Sequence, residues 1–555
     1  MSISRKGILC LLVVLAMAVL VTACRSDSEP TTTQPQGTTE PAPRPPAPEP
    51  TPAPTPAPGT TNEVVEDGEF YPMDTDVTLR YWNELNANIA ANFSNWGDTP
   101  FAQEWQRRTG VNVEFIHSTT DDAFTLLWLS GDIPDIVSFW WGSPFGGMLG
   151  AIEEDVIIPL NELWDDVPLF RAYLDANPEI ARMIVHPGGY YPAFPFILGG
   201  GEVLSVSQGL IIRQDLLDEA GLPMPVTIDD WTNVLRAFQA MGIESPLSTY
   251  YGEHIFPRAF GAPRGWHVYD GQVRFGQYMP EFRGYLEMMH MWYAEGLLDQ
   301  DVAVRPPAMA KMQDGSAAVV IGWWSDVQMA NMNGPGLTDN ADYNAVGAPY
   351  PRLNATDRYN QFANVGNPHN PIQIQTAVTR ASRHPQIAAR FMDYLWGEEG
   401  HLFANWGIEG ITYTVDPAGG FQFTDYVFNN PNGWVAQQVR AAYSLSFGQG
   451  PYHQDSMIPI RGFAIPQQYD AFRTWSEGAN LDHVLPPIMR TREEDTELGN
   501  IMAEVNTHVN ESIIRFILGT RSLDEFDQFL DEMRRLNIER AIEIQQAALD
   551  RFLEN

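Results

Sequence analysis

The chain has 555 residues, is 44% hydrophobic and 12% aromatic, and carries 70 acidic against 33 basic side chains for a formal charge of −37. That excess of negative charge opposes nucleic acid and anionic lipid surfaces as partners through long-range repulsion. Two cysteines, Cys10 and Cys24, exclude a cysteine metal cluster and a disulfide framework.

Arg5 and Lys6 precede an apolar run over residues 8–21, and small residues lead into Cys24. The pattern reads as a secretory signal, too short to read as a spanning helix. The ending Val21-Thr22-Ala23-Cys24 resembles a bacterial lipobox, which implies cleavage before Cys24 and acylation of that residue. Cys10 then leaves with the signal, so the mature chain has no internal disulfide and no thiol nucleophile other than Cys24. Residues 25–62 hold twelve prolines and almost no large apolar side chain. Such a segment buries no core and favours extended polyproline II. Its 41–58 stretch spans about 55 Å at ~3.1 Å per residue. It reads as a tether holding a folded body away from the membrane.

The body opens with an alternation of elements. Residues 77–82 predict a strand, 99–109 a helix closed by Gly110, and 111–116 a second strand. Residues 122–129 predict a helix ending near Gly131, and 136–139 a third strand. Strand–helix–strand–helix–strand implies a parallel sheet with right-handed crossovers. Ligands of such sheets sit beyond the carboxyl ends of the strands, where the loops 83–95 and 140–147 fall. A second block begins with a strand at 209–212 and a helix at 213–220 stopped by Gly221. Thr227 and Asp230 form a capping box opening a helix at 228–241. Strands are expected at 317–321 and 343–348. After Ser382 a helix places Ile387, Phe391 and Leu395 on one face. Thr491 with Glu494, and Ser522 with Glu525, predict two more capping boxes before long C-terminal helices. The last helix stripes Ile538, Ala541, Ile542, Gln545, Leu549 and Phe552 on one side, a face that packs onto the body. Two lysines, Lys6 and Lys311, stand against 31 arginines, a bias read as base composition.

Five phrases coincide in order. They are Ser130-Gly131-Asp132-Ile133-Pro134-Asp135-Ile136, GLIIRQDLLDEAGLP at 209–223, YAEGLLD at 293–299, QDGSAA at 313–318 leading to Trp323 and Trp324, and HPQIAARFMD at 384–393 leading to GIEG at 407–410. Together, behind a lipobox, they resemble the extracellular solute-binding proteins, family 1, of ABC importers, in particular the long lipoprotein type of Gram-positive bacteria associated with oligosaccharide uptake. The resemblance runs from about residue 77 to 555. It implies an α/β, two-lobed, periplasmic-binding-protein-like (type II) fold with a hinge and an interlobe cleft. Mapped onto this chain, residues 1–23 are the signal peptide and 24–76 are acylated Cys24 with its Pro/Thr-rich tether. Lobe 1 is 77–207 plus 346–411, and lobe 2 is 208–345 plus 412–555. The implied function is capture of a carbohydrate by hinge closure and delivery to an ABC permease, by a monomer held outside the membrane. The alternatives are the same scaffold serving another solute or a sensor, and a surface glycan-degrading enzyme.

Sugars present apolar C–H faces to aromatic rings and hydroxyl edges to carboxylates, amides and arginine. Trp140 and Trp141 follow the third strand, and the string from Phe139 to Gly147 resembles a loop of maltodextrin-binding proteins where a Trp lines the sugar site. Ser143 and Pro144 stand where an acidic–basic pair would be, which argues against maltodextrin itself. Trp323 and Trp324 match the family's Trp after the small-residue segment. Glu202, Asn86, Tyr250, Tyr251, His254, Trp266 and Trp406 are the further candidates, with Arg461 as an additional hydroxyl donor. No carboxylate pair is marked for glycoside hydrolysis. There is no Gly-x-Ser-x-Gly elbow, His-Glu-x-x-His or phosphate-cradling loop. The expectation is therefore no enzyme and no cofactor; the acidic run at 339–342 fits a calcium loop poorly.

Overall fold

The computed structural model describes residues 70–118, 123–139, 141, 147–198, 206, 208–250, 255–304, 306–338, 342–357, 374–416, 420–445, 450–480 and 482–554. Local signals set the first elements. The Thr99 hydroxyl accepts the Ala102 N–H at 3.2 Å, Pro100 opens the helix Pro100–Thr109, and Gly110 closes it at φ 76°. Strands Thr78–Glu84 and Asn112–Ser118 flank that helix and pair in parallel over seven residues. Ile136–Phe139 pairs in parallel with Thr78–Glu84 on its other side. The expected parallel sheet is thus formed, and it is extended by a strand from far along the chain: Gln375–Thr379 adds antiparallel to Ile136–Phe139. Ile157–Ile158 and Phe194–Pro195 then pair with that strand.

Alternation along these strands decides which residue faces which core. Leu79, Tyr81, Ile136 and Val378 enter one core with Trp96, Trp105, Phe391 and Phe403. Their neighbours Trp82, Val137 and Ala377 face the opposite side, with Phe124, Trp141 and Met148. The sheet is covered on both faces.

The second sheet runs in the order Ala345–Ala348, Gln208–Arg213, Ala317–Trp323, Ser245–Ser248. Ala317–Trp323 is antiparallel to Gln208–Arg213 and parallel to Ser245–Ser248. The unbroken apolar runs Leu210-Ile211-Ile212 and Val319-Val320 are what a strand buried on both faces requires. Thr227 and Asp230 make the expected reciprocal capping box on the helix Ile228–Ala240, whose Trp231, Leu235 and Phe238 enter this core.

Ile197, Val378 and Tyr452 pack on the first core, while Val206, Tyr350 and Ala471 pack on the second, so the chain changes core between the members of each pair Ile197 and Val206, Tyr350 and Val378, and Tyr452 and Ala471. Strand Ala345–Ala348 lies wholly in the second sheet, so the expected passage at 346 falls inside an element, and Tyr350 still packs on the second core. Likewise Ala441, Leu445 and Tyr452, beyond the expected passage at 411, pack on the first core. Two of the passages start side by side, since Ile197–Leu198 pairs in parallel with His453–Gln454.

The C-terminal helices Arg492–Ile517, Phe526–Arg535 and Ile538–Glu554 pack on the second core through Val505, Val509, Phe516, Phe529, Ile538 and Ala541. Thr491 and Glu494 form a complete capping box. Ser522 does not: its hydroxyl accepts the Asp524 N–H in a short 3-10 turn, while the Glu525 carboxylate lies 3.6 Å from Arg521. Arg492 joins the two parts, pairing with Glu153 at 2.7 Å and Glu154 at 2.9 Å. No described helix is long and apolar enough to cross a membrane.

Candidate functional site

Ser245–Ser248 and Ala317–Trp323 run parallel, so their carboxyl ends open on the same edge of the second sheet. A cavity of about 380 Å³ lies there, walled by Ser248, Thr249, Tyr250, Ile321 and the segment 306–310. Its size is in the ~300–1,000 Å³ range of small-molecule sites. A larger hollow of about 560 Å³ sits among the C-terminal helices, away from any strand end, where Arg521 pairs with Glu532.

Behind the wall residue Ser248 lies an ion pair. Asp299, whose side chain is 1% exposed, receives Lys311 Nζ on both oxygens at 2.8 Å. The Ser248 hydroxyl donates to Asp299 Oδ2 at 2.5 Å, and the Asp301 N–H to Oδ1 at 3.0 Å. Burial pushes the Asp299 carboxyl up, but the Lys311 and Ser248 hydrogen bonds outweigh it and hold the group below its usual range. Burial lowers Lys311 in turn, and its bonds to Asp299 and Asp301 carry it above the ordinary lysine value.

Trp323 ends the central strand and is 52% exposed. Asp326 Oδ2 accepts the Trp323 N–H at 2.7 Å, fixing the backbone where the helix Trp324–Thr338 begins. Burial raises the Asp326 carboxyl, opposed by that N–H. Gly322 is required here, because a Cβ would meet Asp326 Cβ and Ile211 Cδ1 at 2.9 Å. One residue later the direction reverses: Trp324 turns inward, edge-on to Phe463 and Phe472 at 5.9 Å each.

At the strand ends of the first sheet, Asn83 is buried and its Oδ1 has no hydrogen-bond partner. His117 Nε2 accepts the Trp96 N–H at 2.9 Å, which leaves Nδ1 to donate to the Asn83 carbonyl at 3.1 Å. Burial lowers the His117 pKa, opposed by that carbonyl.

The remaining candidates divide. Tyr250 lines the cavity beside Thr249. Asn86 caps the short helix Ala87–Ala90, its Oδ1 accepting the Asn88 N–H at 2.8 Å. Trp266 is half-buried against Phe275, at 5.0 Å between rings. Two tryptophans expected at an open surface lie in cores instead. Trp141 is 1% exposed and donates to the Gln375 carbonyl at 3.0 Å, because the added antiparallel strand covers it. Trp406 is also 1% exposed, donating to Asp455 Oδ2 at 3.1 Å and packing on Phe423. Arg461 falls in the last turn of the helix Met457–Arg461. Trp140, Glu202, Tyr251, His254 and Cys24 lie outside the described residues. Sequence reasoning missed Ser248, Thr249 and Lys311. Asp299 did end one of the quoted phrases, and Lys311 stood out as the lone lysine of the body. Among the described residues no group of three or more His, Cys, Asp or Glu is placed to hold a metal ion.

Residues 222–407 match the family described as bacterial extracellular solute-binding protein. The fructooligosaccharide ABC transporter substrate-binding protein FusA of Streptococcus pneumoniae serotype 4 is 22% identical over 88% of this chain and 93% of its own. Lipoprotein LipO of Bacillus subtilis is 25% identical over 64% of this chain and 71% of its own. Among solved structures, alginate-binding protein AlgQ2 without calcium ion superposes with a TM-score of 0.69 at 21% identity, covering 87% of this chain and 99% of that one. The shared fold is two-lobed.

Proposed function

We infer, from the premise that this chain is a bacterial extracellular solute-binding protein, that it captures a carbohydrate between its two lobes and passes it unaltered to the permease of an ABC importer. The relatives named for oligosaccharides support the ligand class. The observation in this chain that carries the reading is the second-lobe strand edge. An exposed tryptophan, Trp323, ends the strand whose Ile321 walls a cavity edged by hydroxyl-bearing Ser248, Thr249 and Tyr250. That pairing offers a flat apolar surface and hydrogen-bonding groups at one place, as a pyranose or furanose ring needs.

Closing follows from linkage: a ligand touching both lobes binds the closed form better and shifts the population toward it. The lobes are built on the two cores, and the paired segments Ile197–Leu198 and His453–Gln454 serve as the hinge. Acylated Cys24 and the proline-rich tether hold the monomeric body outside the membrane, and more than one acyl chain makes that anchor durable.

Calorimetric titration of the mature chain with neutral oligosaccharides, kestose among them, tests the reading. Saturable binding with the glycan recovered intact is expected. Silence across the panel overturns the carbohydrate assignment, and shortened glycan in the recovered material overturns capture without chemistry.

A further inference from the structure

Resting on that reading, we propose that the cavity at the second-lobe strand ends is a subsite for one uncharged sugar unit, and that the Thr249 hydroxyl is its specificity-determining contact. Three observations converge on it. Thr249 lines the cavity, is 4% exposed, and its Oγ1 has no hydrogen-bond partner. A hydroxyl shut away from water without a partner is unfavourable, so its place in a functional wall is explained when a ligand hydroxyl completes it.

The preceding residue is locked. Ser248 spends its donor on Asp299, which is itself clamped by Lys311, so the strand end that presents Thr249 is fixed from below. The same clamp decides the charge of the ligand. The cation behind Ser248 among the described residues, Lys311, is engaged on both Asp299 oxygens and approaches Asp301 at 3.4 Å. The rest of the described wall is hydroxyl or apolar: Tyr250, Met309, Ile321 and the prolines Pro306 and Pro307. Among the described residues of this wall a uronate would meet no free cation, whereas a neutral ring meets hydroxyl against hydroxyl.

Thr249→Val keeps the shape and removes the hydroxyl; Thr249→Ser keeps the hydroxyl. Both mature chains are titrated beside the wild type with kestose, maltotriose, xylotriose and a short oligouronate, and their unliganded melting temperatures are recorded. Thr249→Val is expected to weaken the neutral ligand about tenfold, or 1.4 kcal/mol, while the unliganded protein melts no lower than wild type, because an orphan hydroxyl has been removed. Thr249→Ser is expected to bind within about threefold of wild type. Wild-type affinity in Thr249→Val, a lower unliganded melting temperature in it, or binding of the oligouronate alone overturns the subsite while leaving solute capture standing. A wild type that takes up no member of the panel overturns both.

Discussion

Lys311→Met tests whether the strand end at Ser248 is held by charge. The substitution keeps the alkyl stem and removes the ammonium. Asp299 then retains the Ser248 hydroxyl and the Asp301 N–H and loses its counter-charge and two of its hydrogen bonds. Removing one partner of a buried pair costs about 3–5 kcal/mol. Lys311 is 22% exposed, so water screens part of the attraction, and about 2–3 kcal/mol is the expected loss here. The companion Lys311→Met with Asp299→Asn leaves no unpaired charge in the core and should recover at least half of that loss. The Asp299 pKa is depressed, so its contribution is present above the unfolded carboxylate value and disappears as pH falls through the folded one. The gap between wild type and Lys311→Met therefore narrows on acidification. Urea unfolding at a series of pH values, followed by circular dichroism, reads all three quantities. A single variant within about 0.5 kcal/mol of wild type, the scatter of ordinary surface substitutions, or a double variant less stable than the single one, refutes the reasoning.

Trp323→Ala should weaken glycan binding by about 1–3 kcal/mol with little effect on unfolding, whereas Trp406→Ala should cost about 3–5 kcal/mol of stability; calorimetry and urea unfolding on both variants separate a ligand ring from a core ring. Cys24→Ser should abolish incorporation of labelled fatty acid while the body binds as before, and undiminished labelling would remove the anchor. Arg492→Glu sets a third carboxylate against Glu153 and Glu154 and should lower the urea midpoint at low salt, a loss that shrinks at high salt; a salt-independent loss would point to packing instead. Burial, with Arg490 nearby, lowers His186 to about 4. This histidine therefore favours the fold above its unfolded value, and the gain fades as pH falls toward 4. Roughly 1–2 kcal/mol should be lost between pH 7 and 5, with a flatter slope in His186→Gln, read from urea midpoints.

Local chemistry was legible and long-range pairing was not. The helices after Thr99, Thr227 and Thr491 begin where a capping oxygen meets an N–H, and Gly110 and Gly221 close their helices with positive φ. These signals span four residues or fewer, so the sequence displays them. Gln375–Thr379 inserts beside Ile136–Phe139 from more than 200 residues away, and nothing near position 141 announces it. That strand is what turns Trp141 from an exposed candidate into a core residue. Trp406 failed for a similar reason, its cover being the hairpin Tyr413–Val415 and Phe421–Phe423. Thr249 stood unremarked because the strand before it, Ser245–Ser248, carries a proline and two serines and lacks a strand's apolar alternation.

Trp323 and Trp324 show how far a site can be read once the backbone is known. As neighbours in sequence they are equivalent aromatic candidates. In the fold, strand gives way to helix between them, and that single change of backbone sends one ring outward and the other against Phe463 and Phe472. The turn is held by a carboxylate, Asp326, bonded to the Trp323 N–H and pressed against Gly322. Asp326 thus plays the part on this strand that the Asp299–Lys311 pair plays on its parallel neighbour, where Ser248 is bonded to Asp299. Two adjacent strand ends, each braced by an acid from beneath, present an indole and a hydroxyl edge side by side. With the Trp323 backbone already fixed by Asp326, a ring stacking on that indole would have only the side chain left to order.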